Sequence, residues 1–399
     1  MALKLKFRLY RLVTLIQKIS LQLIPIPKPL VLSGDQSSLS LVRAIGAKGY
    51  RRVLLVSDSE LTRLGLLSPI LSELEGLGIA VATYTEVLPD PDVELIARGL
   101  EASRQHKADL ILAVGGGSVL DAAKLIAALN KRKGSMTRKI GIMRIIVKGL
   151  PLYAVPTTAG TGSEATMVAV ITLKDQAKKV FYVDPVLMPT ATALDPSLCL
   201  GLPANLTAAT GMDALTHAIE ALLSKNATAQ TDKQAIEAVR TIFTQLPRCY
   251  HDGSNLAARQ DMLKASQLAG AAFNIAGVGY VHAIAHQLGA RYALPHGLAN
   301  AIVLPTILNW YLEKVPHQIR QVEDKVYPDY RPNQHGRLLR DIKSLCLVLH
   351  IPSTLDDLKQ ADISMIAHAA ITEAKYLYAV PAHMTQSECV QVLKSLMKY

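Results

Sequence analysis

Between Thr207 and His296 an aspartate and several histidines recur at spacings that suit one divalent cation. In TAATGMDALTHAIEALLS, Asp213 and His217 stand four residues apart inside a helical pattern, so both side chains leave one helix face about a turn apart. GYVHAIAHQLGARYALPHGLANAIVLP repeats the arrangement with His282 and His286, then offers His296 behind Pro295. One such pair is usually a hydrogen bond on a helix surface. Here the flanking residues Ala214, Leu215, Ile219, Ala283, Ile284 and Ala285 would carry these polar groups into an interior, where they persist only when paired or metal-bound. A carboxylate with imidazoles and no thiolate suits Fe²⁺ or Zn²⁺ and leaves room on the ion for a substrate oxygen, which is Lewis-acid chemistry. His282 and His286 have the spacing of a zinc-protease helix, but Ala283 stands where that motif needs its general base, which excludes a protease.

The elements that must face this cluster come earlier in the chain. From Tyr50 short apolar strands alternate with helices: RRVLLVSD, IAVATYTEV and DLILAV read as strands, LTRLGLLSPILSELEGLG and VELIARGLEASRQHK as helices. Such a series predicts a parallel sheet covered by helices. Gly115, Gly116, Gly117 and Ser118 sit where DLILAV becomes the helix of SVLDAAKLIAALN, a place where close backbone approach and free N–H groups attract a phosphate. The pattern is not GxGxxG, and a glycine triplet is often no more than a tight turn. A second loop, PTTAGTGSEAT, presents Thr157, Thr158, Thr161 and Ser163. Two such loops after neighbouring strands predict a cofactor crevice. Asp58, after the first of these strands, reads equally as an acceptor for an adenosine ribose and as a helix N-cap. KKVFYVDP and TATALD read as the last strands of the sheet, with Lys179 a counter-charge for the cofactor. After Pro203 helical patterns take over, at 204–224, 231–246, 256–273, 279–291 and 297–312, and KVYPDYRPNQHG interrupts them. The expected organisation is thus an N-terminal segment (1–30), an α/β nucleotide-binding domain (31–200) and an all-helical metal-binding domain (201–399).

At 399 residues, half apolar and 19% charged, the chain has ample surface to bury and no apolar run long enough to span a bilayer. Cys199, Cys249, Cys346 and Cys389 lie far apart without CxxC spacing, which points to a reducing, cytoplasmic setting. The net charge of +11 is uneven: Lys4, Lys6, Arg8, Arg11, Lys18 and Lys28 precede the first acidic residue, Asp35, and leave +5 for the rest. With aromatics at 5% and no recognisable reading module, nucleic acid is excluded as a partner. Residues 3–24 form an amphipathic pattern, Leu5, Leu9, Leu12, Val13, Ile16 and Leu23 against Lys4, Arg8, Arg11 and Lys18. Its readings are a peripheral membrane contact, packing on the protein or a partner subunit, and a targeting segment.

Taken together, GGGSVLDAAK, PTTAGTGSEAT, LTAATGMDALTHAIE and the HAIAHQLGARYALPHG block, in this order, resemble the iron-containing alcohol dehydrogenase family of the dehydroquinate-synthase-like superfamily, over about residues 30–399. The resemblance implies metal ligands at Asp213, His217, His282 and His296, and makes His286 a near-metal imidazole that orients substrate or relays a proton. It implies NAD(H) contacts at Asp58, Gly116, Gly117, Ser118, Asp121, Thr157, Thr158 and Lys179, a site in the cleft between the two domains, and a homodimer. Asp90 departs from the family, where many members carry Asn. The expected reaction is hydride transfer between the nicotinamide and a primary alcohol or aldehyde. Apolar Phe273 and Val278 on the substrate side, with Val168 near the nicotinamide side by resemblance, favour medium or longer chains. The competing readings are a non-redox lyase or cyclase using NAD transiently, and a membrane-docked scaffold with an inactive fold.

Overall fold

The computed structural model describes residues 26–132, 134–174, 178–329 and 336–398, so the amphipathic pattern of residues 3–24 lies outside the described residues. The first half contains β1 (Leu30–Ser33), α1 (Ser37–Ala47), β2 (Arg52–Val56), α2 (Ser59–Arg63), α3 (Ser68–Gly76), β3 (Ala80–Tyr84), α4 (Val93–Gln105), β4 (Leu110–Gly115), α5 (Gly117–Leu129), β5 (Gly141–Ile142), β6 (Leu152–Pro156), β7 (Val168–Leu173), β8 (Lys178–Val183) and β9 (Ala191–Leu194). Among the described residues one six-stranded sheet runs β1-β9-β6-β4-β2-β3, and its pairings are parallel.

Alternation explains why these strands read as unbroken apolar runs. Leu54, Val56, Ile111 and Ala113 face one layer with Ile96, Leu100 and Ile126 of α4 and α5. Val53, Leu55, Leu110 and Leu112 face the opposite layer with Leu41, Ile45, Ile70 and Leu74 of α1 and α3. Both faces are covered, so Leu110–Gly115 and Leu152–Pro156 of the central strands are buried at every position, while the edge strands β1 and β3 are partly exposed. Gly99 lets α4 approach α5, since a Cβ there would stand 2.3 Å from Ile126 Cδ1.

Two expectations are corrected. LTRLGLLSPILSELEGLG is two helices, α2 and α3, because Gly65 takes φ +70 between them and Pro69 restarts the helix near its N-terminus. KKVFYV is not in the main sheet. It forms β8 of a separate three-stranded sheet, β5-β8-β7, pairing antiparallel with β7. TATALD does supply β9 of the main sheet, and the chain enters that sheet through β1, an edge strand that the sequence pattern does not mark.

The second half is helical: α6 (Ala204–Leu223), α7 (Ala229–His251), α8 (Leu256–Ala276), α9 (Tyr280–Tyr292), α10 (His296–Lys314), α11 (Pro316–Val326), α12 (Arg337–Val348), α13 (Ile363–Leu377) and α14 (Gln386–Ser395). Thr228, Asn255 and Thr385 accept from backbone N–H groups at the starts of α7, α8 and α14, as capping residues do. Helix α6 is buried nearly all round by α7, α8 and α10, and its sequence is correspondingly apolar apart from one face that carries Asp213, His217 and Glu220. Helices α8 and α9 meet at a 103° bend through Gly277 and Gly279, and among the described residues no single helix is long and apolar enough to cross a membrane.

Candidate metal and cofactor site

Helix α6 places Asp213, His217 and Glu220 at successive turns of one buried face. His282 and His286 occupy consecutive turns of α9, and His296 opens α10 with Asn300 one turn later. Ala293, at φ +51, and Pro295 turn the chain from α9 into α10. Gly297 then lets α10 close on α6, for a Cβ there would lie 2.3 Å from the Ala209 carbonyl oxygen. Three separate helices thereby converge. The ligand-type atoms of Asp213, His217 and His282 lie within 4.8 Å of one another, and Nε2 of His217, His282 and His296 stand 4.0, 3.8 and 3.7 Å from Asp213 Oδ1.

The residues present fit a cation. Asn300 Nδ2 has two hydrogens, yet it stands 2.7 Å from Asp213 Oδ1 and 3.2 Å from both His282 Nε2 and His296 Nε2, while its own buried Oδ1 has no partner among the described residues. More lone pairs converge than the available hydrogens satisfy, and such groups are costly to bury unless something positive joins them. Burial pushes the imidazoles of His217, His282 and His296 below their ordinary value, with Asp213 opposing, which leaves neutral rings able to ligate. Burial raises the Asp213 carboxyl, but the surrounding histidines outweigh it and hold the group below the usual carboxylate value.

Each α9 histidine is also anchored from behind. His282 Nδ1 lies 2.6 Å from Glu220 Oε2, and that carboxylate accepts from the Gly279 and Val281 amides as well. Burial pushes Glu220 up to about 7. A carboxylate behind a ligating imidazole fixes its tautomer and orientation. His286 Nδ1 lies 2.6 Å from Glu373 Oε1. Its ring stacks on His296 at 5.3 Å and meets Phe181 of β8 at 5.3 Å. Phe273 of α8 stacks on His217 at 4.2 Å.

The carboxyl edge of the main sheet supplies the other wall. Asp58, Gly116 and Thr157 follow β2, β4 and β6, which are neighbours, and the strand order reverses at β2, the kind of point where open α/β sheets take ligands. Gly116 is the extended N-cap of α5, and a Cβ on Gly117 would stand 2.5 Å from Thr161 Cγ2, so the glycine turn and the hydroxyl loop are packed together. That loop also reaches the helical half. Gly162, at φ +58, abuts Gly270 of α8 so closely that a Cβ would be 2.6 Å from the Gly270 Cα, and Gly160 abuts Thr210 of α6 in the same way.

Several cofactor candidates already have protein partners. Asp58 caps α2 through the Leu61 amide at 2.9 Å. Asp121 accepts from Ser163 Oγ at 2.6 Å and the Val170 amide at 2.9 Å, tying α5 to the loop and to β7. Lys179 pairs with Asp90 at 2.8 Å. Ser118, Thr157 and Thr158 flank the same crevice, with Thr157 buried and the other two partly exposed. Of the apolar candidates, Phe273 reaches the histidine cluster, Val168 begins β7 with its carbonyl on Lys124 at 2.6 Å, and Val278 lies in the α8–α9 bend. The residues unmarked at the outset are Glu220, Asn300, Glu373 and the buried Lys124, which bonds Thr166 Oγ1 at 2.9 Å. Burial lowers that ammonium to about 8 and raises its neighbour Glu164 to about 7.

Comparison with known proteins bears on this arrangement. The iron-containing alcohol dehydrogenase family model matches residues 29–196, and the C-terminal model of the Fe-containing alcohol dehydrogenase family matches residues 207–397. Alcohol dehydrogenase 4 of Saccharomyces cerevisiae is 34% identical over 373 residues, 93% of this chain and 97% of its own. The crystal structure of a 1,3-propanediol oxidoreductase superposes with a TM-score of 0.87 at 34% identity, covering 94% of this chain and 100% of that one. A sulfoacetaldehyde reductase from Bifidobacterium kashiwanohense, solved in complex with NAD⁺, gives 0.82 at 26% identity over 93% and 97% of the two chains. Matches on both halves in sequence, and over nearly the whole length in structure, place this chain in the iron-containing alcohol dehydrogenase family.

Proposed function

We propose that the protein is a metal-dependent, NAD(H)-linked alcohol dehydrogenase or aldehyde reductase that takes primary alcohols and aldehydes with apolar chains. The observation that carries this reading is the excess of lone pairs converging from α6, α9 and α10 beside the carboxyl edge of a parallel sheet. Asp213, His217, His282 and His296 would hold Fe²⁺, or Zn²⁺, which accepts the same donors. The glycine turn at Gly116, Gly117 and Ser118 and the loop at Thr157 and Thr158 would hold the dinucleotide, with Asp58, Asp121 and Lys179 shaping its crevice. When bound, the cation supplies Lewis acidity toward the substrate oxygen and the nicotinamide supplies the hydride exchange.

The chain's own residues do the remaining work. Residues 31–200 act as the cofactor-holding domain and residues 201–399 as the metal-holding one. Glu220 keeps the His282 lone pair directed at the ion, and Phe273 and Phe181 back the rings of His217 and His286 with apolar surface that excludes water. His286 passes the hydroxyl proton toward solvent. The same apolar surface supports chains of medium or greater length. The protein acts as a homodimer, with residues 1–24 making a peripheral contact with anionic membrane through their basic face.

The test is metal analysis of anaerobically purified protein followed by an NAD-linked assay over ethanol, butanol, octanol and glycerol. About one iron or zinc per chain and NADH accumulation that improves with chain length are expected. Metal-free protein with full turnover would sink the assignment, and a preference for glycerol would overturn the chain-length reading.

A further inference from the structure

His286 is held on every side but one. Phe181 from the small sheet lies against one part of its ring and His296 stacks parallel at an interplanar angle of 10°. Nδ1 points to Glu373 at 2.6 Å, and among the described residues Nε2 has no hydrogen bond. Glu373 sits on α13, far along the chain, and gathers two more donors: Tyr378 Oη at 2.5 Å on the same oxygen and Gln287 Nε2 at 2.9 Å on the other. Its side chain is largely buried. A buried carboxylate that accepts from a phenol, an amide and an imidazole is fixed in place. It therefore dictates that Nδ1 carries the ring hydrogen and that the lone pair falls on Nε2.

We propose that Glu373, braced by Tyr378 and Gln287, is a positioning residue that holds His286 in the Nδ1–H tautomer, presenting Nε2 to the substrate hydroxyl. The proposal rests on the reading of His286 as the proton-passing group. It gives the two histidines of α9 parallel arrangements with different ends. Glu220 directs His282 at the cation, and Glu373 directs His286 past it. An imidazole oriented from behind by a carboxylate is effective because the wrong tautomer offers a hydrogen where a lone pair is needed.

The experiment compares Glu373→Gln, His286→Ala and the double variant as metal-loaded enzymes, measuring kcat, alcohol KM, NADH dissociation constant and metal content. Gln preserves shape and removes the charge. With Glu373→Gln, kcat should fall about tenfold, while KM, NADH affinity and metal content stay within about twofold. Glu373→Asp, which keeps the charge, should recover part of the loss. The double variant should turn over no more slowly than His286→Ala alone, since a residue that acts only through another loses its effect once the other is gone. Wild-type kcat in Glu373→Gln beside an impaired His286→Ala would overturn the proposal and leave the His286 role standing. An undiminished Glu373→Gln effect in the His286→Ala background, or loss of metal in Glu373→Gln, would also overturn it. Wild-type turnover by His286→Ala would remove the reading beneath it.

Discussion

Asn300 carries more of the candidate metal site than a neutral amide on the opening turns of α10 would suggest. Its Nδ2 sits among Asp213 Oδ1, His282 Nε2 and His296 Nε2, and so spaces three ligand atoms that would otherwise meet only through an ion. Truncation to alanine removes that spacer from a fully buried position. Asn300→Ala should weaken metal affinity about tenfold, measured by competition with a chromophoric chelator, with NADH affinity unchanged. Unaltered metal affinity would count against the role. The proposed ligands stand out in sequence because a cation needs repeated donor types, and helices deliver them at four-residue intervals, as at Asp213 and His217. Glu220, three residues beyond His217, and Asn300, four beyond His296, follow the same periodicity and could be read once those ligands are proposed. Glu373 could not. It lies 87 residues from His286, and only tertiary packing joins them.

At the scale of elements, the end of α9 is clamped to the start of α13. Arg291 Nη2 donates to Asp362 Oδ1 at 2.5 Å and Tyr292 Oη to Oδ2 at 2.6 Å. The Arg291 bond, then that of Tyr292, holds the Asp362 carboxyl down at about 2, against about 3.9 for an unfolded aspartate. A carboxyl depressed on folding stabilises the protein above its unfolded value and loses that contribution as pH falls through its folded one. Asp362→Asn should therefore lower the melting temperature by a few degrees at most at pH 6, and its curve should converge on that of the wild type as pH falls below about 2. A constant difference across that range would refute the linkage. The alternating strands and helices of the first half are legible because buried parallel strands are apolar at every position. The placement of KKVFYV is not, since its composition says strand and nothing local says which sheet. Gly65 shows the reverse case, where one residue with positive φ divides a pattern that is apolar and periodic on both sides.

For the whole molecule, charge is the property most unevenly spread. Six basic residues precede Asp35, and the remaining chain carries only +5. An amphipathic segment with that face should bind anionic lipid through charge and apolar contact together, at roughly 1 kcal/mol per basic residue near the surface. Deleting residues 1–24 should reduce co-sedimentation with phosphatidylserine vesicles about tenfold or more at low salt, and leave NAD-linked turnover intact. Equal sedimentation of both forms would exclude the contact. The folded body has a different constraint. Where Gly162 meets Gly270, two segments touch main chain to main chain with no side chain between them, so the loop proposed to cradle the dinucleotide and a helix beside the proposed metal ligands share a seam without slack. Side chains elsewhere can be exchanged to retune what enters the cleft, but in the proposed holoenzyme the reach from nicotinamide to ion would be gauged by a pair of residues that have none, and a single methyl there would act as a shim in the reacting distance.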